Sequence, residues 1–188
     1  MKEKLIREIE NYQPVNPQEA TDRELMLKLL EGSEDLTLRS VLHAHFTASA
    51  WVVSPDRKQV LMAYHNLYDS WAWLGGHADG NWDLMAVADK EAEEESGISG
   101  IRPLVSGIFS LEILPVSGHE KKGKYVPSHL HINLTYLFEG DPDAPVRVKA
   151  DENSRVGWID VADIANKSTE PWFVERIYRK LTEKVNML

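Results

Sequence analysis

The sequence predicts an α/β protein in which helices cover a mixed β-sheet, preceded by a short helical extension. Segments of strand character and segments of helix character alternate from residue 42 onward, as in mixed α/β architectures. The composition, 43% hydrophobic and 27% charged, excludes low-complexity and disordered classes. A chain of 188 residues is long enough for one domain that buries about 70% of its unfolded surface. We therefore expect a helical extension over residues 1–40 and a single domain over residues 41–188.

Two helices are expected in the extension. Residues 2–11 place their apolar side chains on one side, as an amphipathic helix does. Thr21 and Glu24 form a capping box, which predicts the start of the second helix. Gly32 follows the apolar stripe of that helix and predicts its end.

The next part of the chain has the character of β-strands. Residues 45–54 and 59–64 are rich in apolar and β-branched side chains, and Pro55 with Asp56 supplies a turn between them, which predicts a hairpin. A short strand over residues 71–74 is expected to run into a Gly-Gly turn. Further strands are predicted over residues 101–116, 128–138 and 156–160, with a polar loop over residues 117–127.

Two more helices complete the prediction. Residues 83–96 carry an apolar stripe at helical spacing, and Gly97 stands where a left-handed residue ends a helix. The run Thr169-Glu170-Pro171 predicts the start of a final helix.

Charge and composition exclude several classes of function. The absence of cysteine excludes disulfides, thiolate zinc sites and cysteine nucleophiles. A net charge of −9 makes long nucleic acid a poor partner. No apolar run approaches the roughly 20 residues that cross a bilayer, and the first twelve residues lack the apolar block of a signal peptide. We expect a cytoplasmic protein that does not bind membranes; its oligomeric state is open, a homodimer included.

The last two turns of the helix over residues 83–96 are acidic, although basic residues are favoured at the carboxyl end of a helix. Glu91, Glu93, Glu94 and Glu95 crowd its last two turns, and only Lys90 offsets them. A helix carboxyl terminus is already negative, so each acid there costs roughly 0.3–1 kcal/mol. Like charges three or four residues apart cost a few tenths of a kcal/mol more. Such a systematic departure from local preference often marks a functional site.

Helical geometry places three of these carboxylates in one patch. At about 100° per residue, Glu94 and Glu95 lie on either side of Glu91, and Glu93 points away. Three oxygen donors without histidine or cysteine suit a hard cation such as Mg²⁺ or Mn²⁺. The preceding Gly-Gly turn lets a backbone carbonyl approach the same ion. The alternative is a solvated acidic face beside an ordinary turn.

Residues 75–98, GGHADGNWDLMAVADKEAEEESGI, resemble the Nudix box. That box is a Gly, five residues, a Glu, seven residues, and then Arg-Glu-aliphatic-any-Glu-Glu-any-Gly-aliphatic. Counted from Gly76, the residues that fall in register are Glu91, Ala92, Glu94, Glu95, Gly97 and Ile98. The Gly-Gly-His-Ala-Asp-Gly loop is similar to that of a bacterial Nudix subgroup, and the resemblance runs from about His45 to the final helix.

The resemblance implies a fold, a reaction and a cofactor. The fold would be an α/β/α sandwich, and the reaction the hydrolysis of a phosphoanhydride bond in a diphosphate linked to another group, most simply a nucleotide derivative. Mg²⁺ or Mn²⁺ would be held by Glu91, Glu94, Glu95 and the Gly76 carbonyl. The ion would neutralise phosphate charge and lower the pKa of a bound water. Glu91 or Glu95 would take the proton of that water.

Two positions depart from the family pattern. Lys90 stands where the family has an arginine that orients a ligand glutamate through a two-pronged salt bridge; it keeps the charge and loses the fork. Trp82 replaces a glutamate, with Asp79 and Asp83 nearby as possible substitutes. These departures favour an alternative, a ligand-binding or regulatory module with weakened catalysis. An isomerase of the isopentenyl-diphosphate type is set aside, because that chemistry uses a catalytic cysteine.

Other residues carry weaker signals, each with a structural alternative. His129 and His131 alternate along a strand and therefore face one side of it, and so do His43 and His45. Such pairs are either zinc ligands or hydrogen-bonded strand histidines. His77 lies near the expected metal or stabilises the turn. A phosphate clamp of Lys121, Lys122 and Lys124 competes with a solvated loop, and base stacking by Tyr64, Trp71 and Trp73 competes with core packing. The loops over residues 64–70 and 117–127 are expected to set specificity.

Overall fold

A computed structural model describes residues 1–121, 123–149 and 153–188 of the chain. It confirms the predicted fold class, a mixed β-sheet with helices and a short helical segment at the amino terminus. The helices are α1 (Lys2–Asn11), α2 (Pro17–Leu30), α3 (Leu84–Ser96), α4 (Ile164–Lys167), α5 (Pro171–Phe173) and α6 (Arg179–Val185). A 3₁₀ turn at Val161–Asp163 precedes α4, and a π-helical turn at Val174–Tyr178 connects α5 to α6.

Ten strands are formed by the described residues. They are β1 (Ala44–Val53), β2 (Gln59–His65), β3 (Ser70–Ala72), β4 (Leu74–His77), β5 (Arg102–Pro103), β6 (Ser110–Val116), β7 (His119–Lys121), β8 (Lys124–Val126), β9 (His129–Glu139) and β10 (Asn153–Asp160). The main sheet has the order β10-β2-β1-β9-β5, with β3 paired to β2, β4 to β1 and β6 to β9. Strands β7 and β8 form a separate antiparallel pair.

The chain forms two compact units. The first comprises residues 1–49, 76–87 and 107–136, and the second comprises residues 50–75, 88–106 and 137–188. The predicted boundary between residues 40 and 41 stays a prediction. Among the described residues, no helix combines the length and apolar character that a bilayer crossing needs.

In the first unit, helix α2 packs on strand β6, and helix α1 packs on α2. The Ser110 hydroxyl donates to Glu19 Oε1 at 2.9 Å, and the Ile113 amide donates to Asp22 Oδ2 at 3.1 Å. Both acceptors lie on α2, so polar contacts fix this helix along the strand. Leu5 on α1 and Met26 on α2 are buried. The extension is thus anchored to the sheet through specific side chains.

In the second unit, β2 lies between β10 and β1. Antiparallel β10 runs from Asn153 opposite His65 to Asp160 opposite Gln59. The fully buried Trp51 ring stacks on Tyr178 at 5.6 Å between ring centroids. The carboxyl-terminal helical segment therefore closes the apolar core of this unit.

The predicted start of α2 at Thr21 is wrong. The helix begins at Pro17, and the Asn16 side chain accepts a hydrogen bond from the Glu19 amide at 2.9 Å. Asparagine is a strong N-cap, and proline suits the first helical position because its missing N–H is unneeded there. These two signals precede the capping box and take effect first, so Thr21 lies inside the helix.

Three strand predictions also need correction. The expected strand over residues 101–116 is interrupted, because only β5 and β6 pair with β9, and Gly107 between them has a φ of 82°. The expected Gly-Gly turn is part of strand β4, and the strand over residues 71–74 breaks at Trp73. The expected polar loop contains the β7–β8 pair. The hairpin of β1 and β2, the strand β9 and the helix α3 are confirmed.

Candidate metal centre

Helix α3 presents the acidic cluster because its opposite face is fixed in the core. Leu84, Ala88 and Ala92 are buried at helical spacing. At the start of the helix, Asp83 Oδ1 accepts from the Ala86 amide at 3.2 Å, which is an N-cap contact. At the end, Gly97 adopts the left-handed conformation with a φ of 71°, as predicted. Both ends are therefore defined by side-chain and backbone chemistry that the sequence specifies.

Glu91 and Glu94 share two lysines. Lys90 Nζ lies 3.1 Å from a Glu94 oxygen and 3.6 Å from a Glu91 oxygen. Lys149 Nζ lies 3.4 Å from Glu94 and 3.8 Å from Glu91. The hydrogen bond from Lys90 holds the pKa of Glu94 below its usual value. The cationic nitrogens of Lys90 and Lys149 each approach both carboxylates.

Glu95 has different surroundings. It is buried, accepts the Gly75 amide at 2.9 Å and accepts the Asn153 side-chain amide at 2.8 Å. Burial raises the pKa of Glu95 to about 7, and the charge of Glu91 acts in the same direction against the two hydrogen bonds. Within the described residues, the buried Asn153 Oδ1 has no hydrogen-bond partner. The side chain that binds Glu95 therefore carries a further oxygen atom that could ligate a metal ion.

The fourth glutamate points away, as predicted. Glu93 is exposed and accepts from the Gly100 amide at 3.3 Å. The remaining set, Glu91, Glu94 and Glu95, consists of carboxylate oxygens, two of which one cation already approaches. This donor set fits a hard divalent cation such as Mg²⁺ or Mn²⁺. Gly76 lies in strand β4, directly after the glycine that binds Glu95, and its role as a ligand stays a prediction.

Four histidines of the first unit form a separate cluster. The ring of His45 on β1 lies 5.2 Å from His77 on β4, 5.1 Å from His131 and 4.8 Å from His129 on β9, measured between centroids. Burial, followed by the neighbouring imidazoles, lowers the pKa of His131 to about 2, and burial also lowers the pKa of His45. His43, which was predicted to face the same side, precedes β1 and pairs with Glu34 instead.

The remaining candidates are placed as follows. Arg155 lies over the Tyr64 ring at 4.0 Å and over the Trp71 ring at 5.5 Å. Trp73 packs edge-on against Phe173 and Tyr178. Base stacking by these aromatic residues stays a prediction. Of the proposed phosphate clamp, Lys122 lies outside the described residues and Lys124 is exposed on β8, while Lys121 belongs to β7.

Solved structures with the same architecture identify the fold. A Nudix-family hydrolase from Clostridium perfringens is 18% identical, with a TM-score of 0.51, over 76% of this chain and 97% of that chain. A Caenorhabditis elegans Ap4A hydrolase is 16% identical, with a TM-score of 0.54, over 76% of this chain and 99% of that chain. A Nudix hydrolase from Nitrosomonas europaea is 15% identical, with a TM-score of 0.53, over 76% and 88%.

The chain has the Nudix fold. The α/β/α sandwich that the sequence resemblance implies is therefore confirmed, and Nudix hydrolases are its structural neighbours. No protein-family model matches the sequence, and neither does any curated protein sequence.

Within the Nudix fold, Trp82, which stands where the box has a glutamate, takes part in packing. Trp82 packs edge-on against Phe46 at 6.1 Å, and Lys2 Nζ lies 5.6 Å from its ring centre. The nearby carboxylates are committed elsewhere, because Asp79 binds Arg39 through both oxygens and Asp83 caps α3. Both aspartates thus have protein partners, and their substitution for the box glutamate stays a prediction.

Two residues of this centre have no local sequence signal. Lys149 and Asn153 reach α3 from a segment more than fifty residues further along the chain. Nothing in their immediate neighbourhood in the sequence predicts this placement. Within the second unit, the pairing of β10 with β2 and the hydrogen bond from the Arg147 amide to the Ser96 carbonyl hold that segment at the end of α3.

Proposed function

We propose that this protein is a Mg²⁺- or Mn²⁺-dependent hydrolase that cleaves a phosphoanhydride bond in a diphosphate linked to another group. A small nucleotide-derived compound is the substrate class that we favour. The observation that carries the proposal is the set of three carboxylates at the end of α3, two of which approach one cationic nitrogen. The set stands in the register of the Nudix box, on a chain with the Nudix fold.

The chain's own residues have distinct roles in this proposal. Glu91, Glu94 and Glu95 hold the divalent ion, together with the Gly76 carbonyl. When bound, the ion supplies charge neutralisation for the phosphates and activation of the attacking water. Lys90 orients Glu94, which it contacts at 3.1 Å. Glu91 or Glu95 accepts the proton of the water, and the two remain alternatives.

Trp82 supports a second candidate function, a ligand-binding module with weakened catalysis. Its ring takes part in packing where the family pattern has a carboxylate, so the centre has one acid fewer. The lysine contacts of Glu91 and Glu94 favour the enzyme, because the carboxylates remain clustered.

The two functions are separated by a turnover screen. Phosphate release would be measured over nucleotides, nucleotide sugars, prenyl diphosphates and dinucleoside polyphosphates, with Mg²⁺ and with Mn²⁺. The last class is included because one neighbour of similar fold is an Ap4A hydrolase. Metal-dependent turnover supports the enzyme, whereas binding without turnover supports the module.

Site variants then test the residues. We expect Glu91→Gln to lower kcat/KM on the order of 100-fold, because it removes the charge of a metal ligand and keeps the side-chain volume nearly unchanged. Glu93→Gln is the matched control, since Glu93 lies in the same helical turn and points away. Its activity should stay within about twofold. Equal activity of Glu91→Gln and the unaltered protein would contradict the proposal.

A further inference from the structure

We propose that His45, His77 and His131 form a second metal site. It binds one divalent ion such as Zn²⁺, Ni²⁺ or Co²⁺ through three imidazole nitrogens. One ligand atom of each histidine lies within 4.8 Å of those of the other two. All three residues belong to the first unit, whereas the glutamates of α3 belong to the second. The two sites therefore have no ligand in common.

The sheet itself assembles this trio. Strand β1, which carries His45, has β4 and β9 as its neighbours in the sheet. The Ala78 amide donates to the Phe46 carbonyl at 3.1 Å, and the Leu130 amide donates to the His43 carbonyl at 3.0 Å. These backbone bonds set the register. Side chains on one face of neighbouring strands lie about 5 Å apart, which is the spacing of the three rings.

His45 has the tautomer of a metal ligand. Its Nδ1 lies 3.2 Å from the Val41 carbonyl, which only accepts, so Nδ1 carries the proton. The lone pair is then on Nε2, which is buried and has no hydrogen-bond partner among the described residues. A buried acceptor without a partner is costly. A ring held by a backbone carbonyl, with the other nitrogen available, is the arrangement that metal-binding histidines adopt.

The hydrogen bonds of His129 determine the tautomer of His131 in the same way. The Nδ1 of His129 lies 2.8 Å from the Pro127 carbonyl, so this nitrogen is the donor and Nε2 is the acceptor. The 3.2 Å contact between the two Nε2 atoms must then take its proton from His131. Neutral His131 is left with its lone pair on Nδ1. His129 thus acts as a positioning residue and His131 as a ligand.

The donor set selects the class of ion. Three imidazoles without a carboxylate suit Zn²⁺, Ni²⁺ and Co²⁺ and not Mg²⁺, which prefers oxygen. The charge of Asp79 acts on His45, and Arg39 binds both oxygens of that aspartate. Three protein ligands leave a fourth coordination position open. His77 and His131 are only partly buried, which gives an ion a route of access.

The test is a metal titration of the untagged, full-length protein after treatment with a chelator. Zn²⁺ affinity would be measured by competition with a chromophoric chelator, and Co²⁺ binding by its visible absorption. We expect one equivalent to bind with micromolar or tighter affinity, in the presence of excess Mg²⁺. His77→Gln should weaken Zn²⁺ binding at least tenfold. His43→Gln, outside the cluster, and Glu91→Gln, in the other site, should leave it unchanged.

A second measurement needs no substitution. In ¹H–¹⁵N spectra of the imidazoles, Zn²⁺ should shift the ring nitrogens of His45, His77 and His131 and leave those of His43 in place. Unchanged imidazole spectra, or equal Zn²⁺ affinity in His77→Gln and the unaltered protein, would overturn the proposal. Because the readout is metal binding and not turnover, an inactive enzyme would leave the proposal intact, and failure of Zn²⁺ binding would leave the hydrolase intact.

Discussion

The three glutamates of the candidate centre differ in what surrounds each carboxylate. Glu94 is 41% exposed in its side chain and contacts two lysines, whereas Glu95 is buried between a backbone amide and an asparagine. Burial disfavours the charged form of Glu95 more strongly than its two hydrogen bonds favour it. This carboxyl group therefore keeps its proton in the folded, metal-free protein at a pH where an exposed glutamate has lost it.

This difference predicts a pH-dependent stability of the metal-free protein. Between the ordinary pKa of 4.5 and the folded pKa of about 7, the folded state holds a proton that the unfolded chain has released. Stability is therefore highest below pH 4.5 as far as Glu95 is concerned, and it falls as pH rises towards 7. The loss should be on the order of 3 kcal/mol, measured by urea unfolding with a chelator present.

Glu95→Gln should abolish that part of the pH dependence, because a carboxamide does not titrate. The carboxamide can still accept the Gly75 amide. Once the Asn153 amide turns over, it can also donate to the Asn153 oxygen that otherwise has no partner among the described residues. Glu93→Gln, on the exposed side of the helix, should retain the slope. If Glu95→Gln kept the full slope, another group would be responsible.

Residue-level prediction from sequence succeeded where the geometry was local. The helical angle of about 100° per residue is enough to separate Glu93 from the other three glutamates. It says nothing of Lys149 or Asn153, which contact these glutamates from more than fifty residues further along the chain. For the same reason, the alternation of His129 and His131 was visible in the sequence, and their meeting with His77 was not.

At the scale of the element, the end of α3 is defined by Gly97 and also by a contact with Arg147, which lies elsewhere in the chain. Gly97 has a φ of 71°, and a Cβ atom there would lie 2.8 Å from the Arg147 Cβ and 3.1 Å from the Arg147 nitrogen. The Arg147 backbone is itself held, because its amide donates to the Ser96 carbonyl at 2.6 Å. A methyl group at Gly97 is therefore unfavourable for two reasons: the left-handed backbone conformation, and the contact with the hydrogen-bonded Arg147 backbone.

We expect Gly97→Ala to destabilise the protein by about 2–4 kcal/mol. Gly100→Ala is the matched control: its φ is 80°, and a Cβ there meets no described atom within 4 Å, so only the conformational cost of about 1 kcal/mol remains. Chemical denaturation of both variants measures the difference. Equal losses would show that the Arg147 contact contributes nothing.

The bounds of helices and strands were predicted well where one local sequence signal dominated, and poorly where two signals competed. Asn16 with Pro17 and Thr21 with Glu24 are both valid helix starts, and the first one in the chain determines where α2 begins. The Gly-Gly pair reads as a turn in isolation. Pairing with β1 keeps it extended, an effect that depends on residues far away in the sequence.

For the whole molecule, a net charge of −9 and a cluster of carboxylates at α3 make cation binding a source of stability. A ligand that binds only the folded state stabilises it by RT ln(1 + [L]/Kd). Mg²⁺ at about five times its Kd should therefore add roughly 1 kcal/mol and raise Tm by about 2–4 °C. Binding to the glutamates, and not general screening of negative charge, is the cause that we expect.

Thermal unfolding at pH 7 separates these two causes. MgCl₂ is compared with NaCl at equal ionic strength, since screening acts on both equally. The Mg²⁺-specific rise should be present in Glu93→Gln and absent in Glu91→Gln, because only the second substitution removes a carboxylate that lies with Glu94 beside a shared cation. An equal rise with NaCl would make screening the cause, and a Mg²⁺-specific rise that survives Glu91→Gln would place the bound magnesium away from α3. Either result would remove the physical basis of the proposed hydrolase.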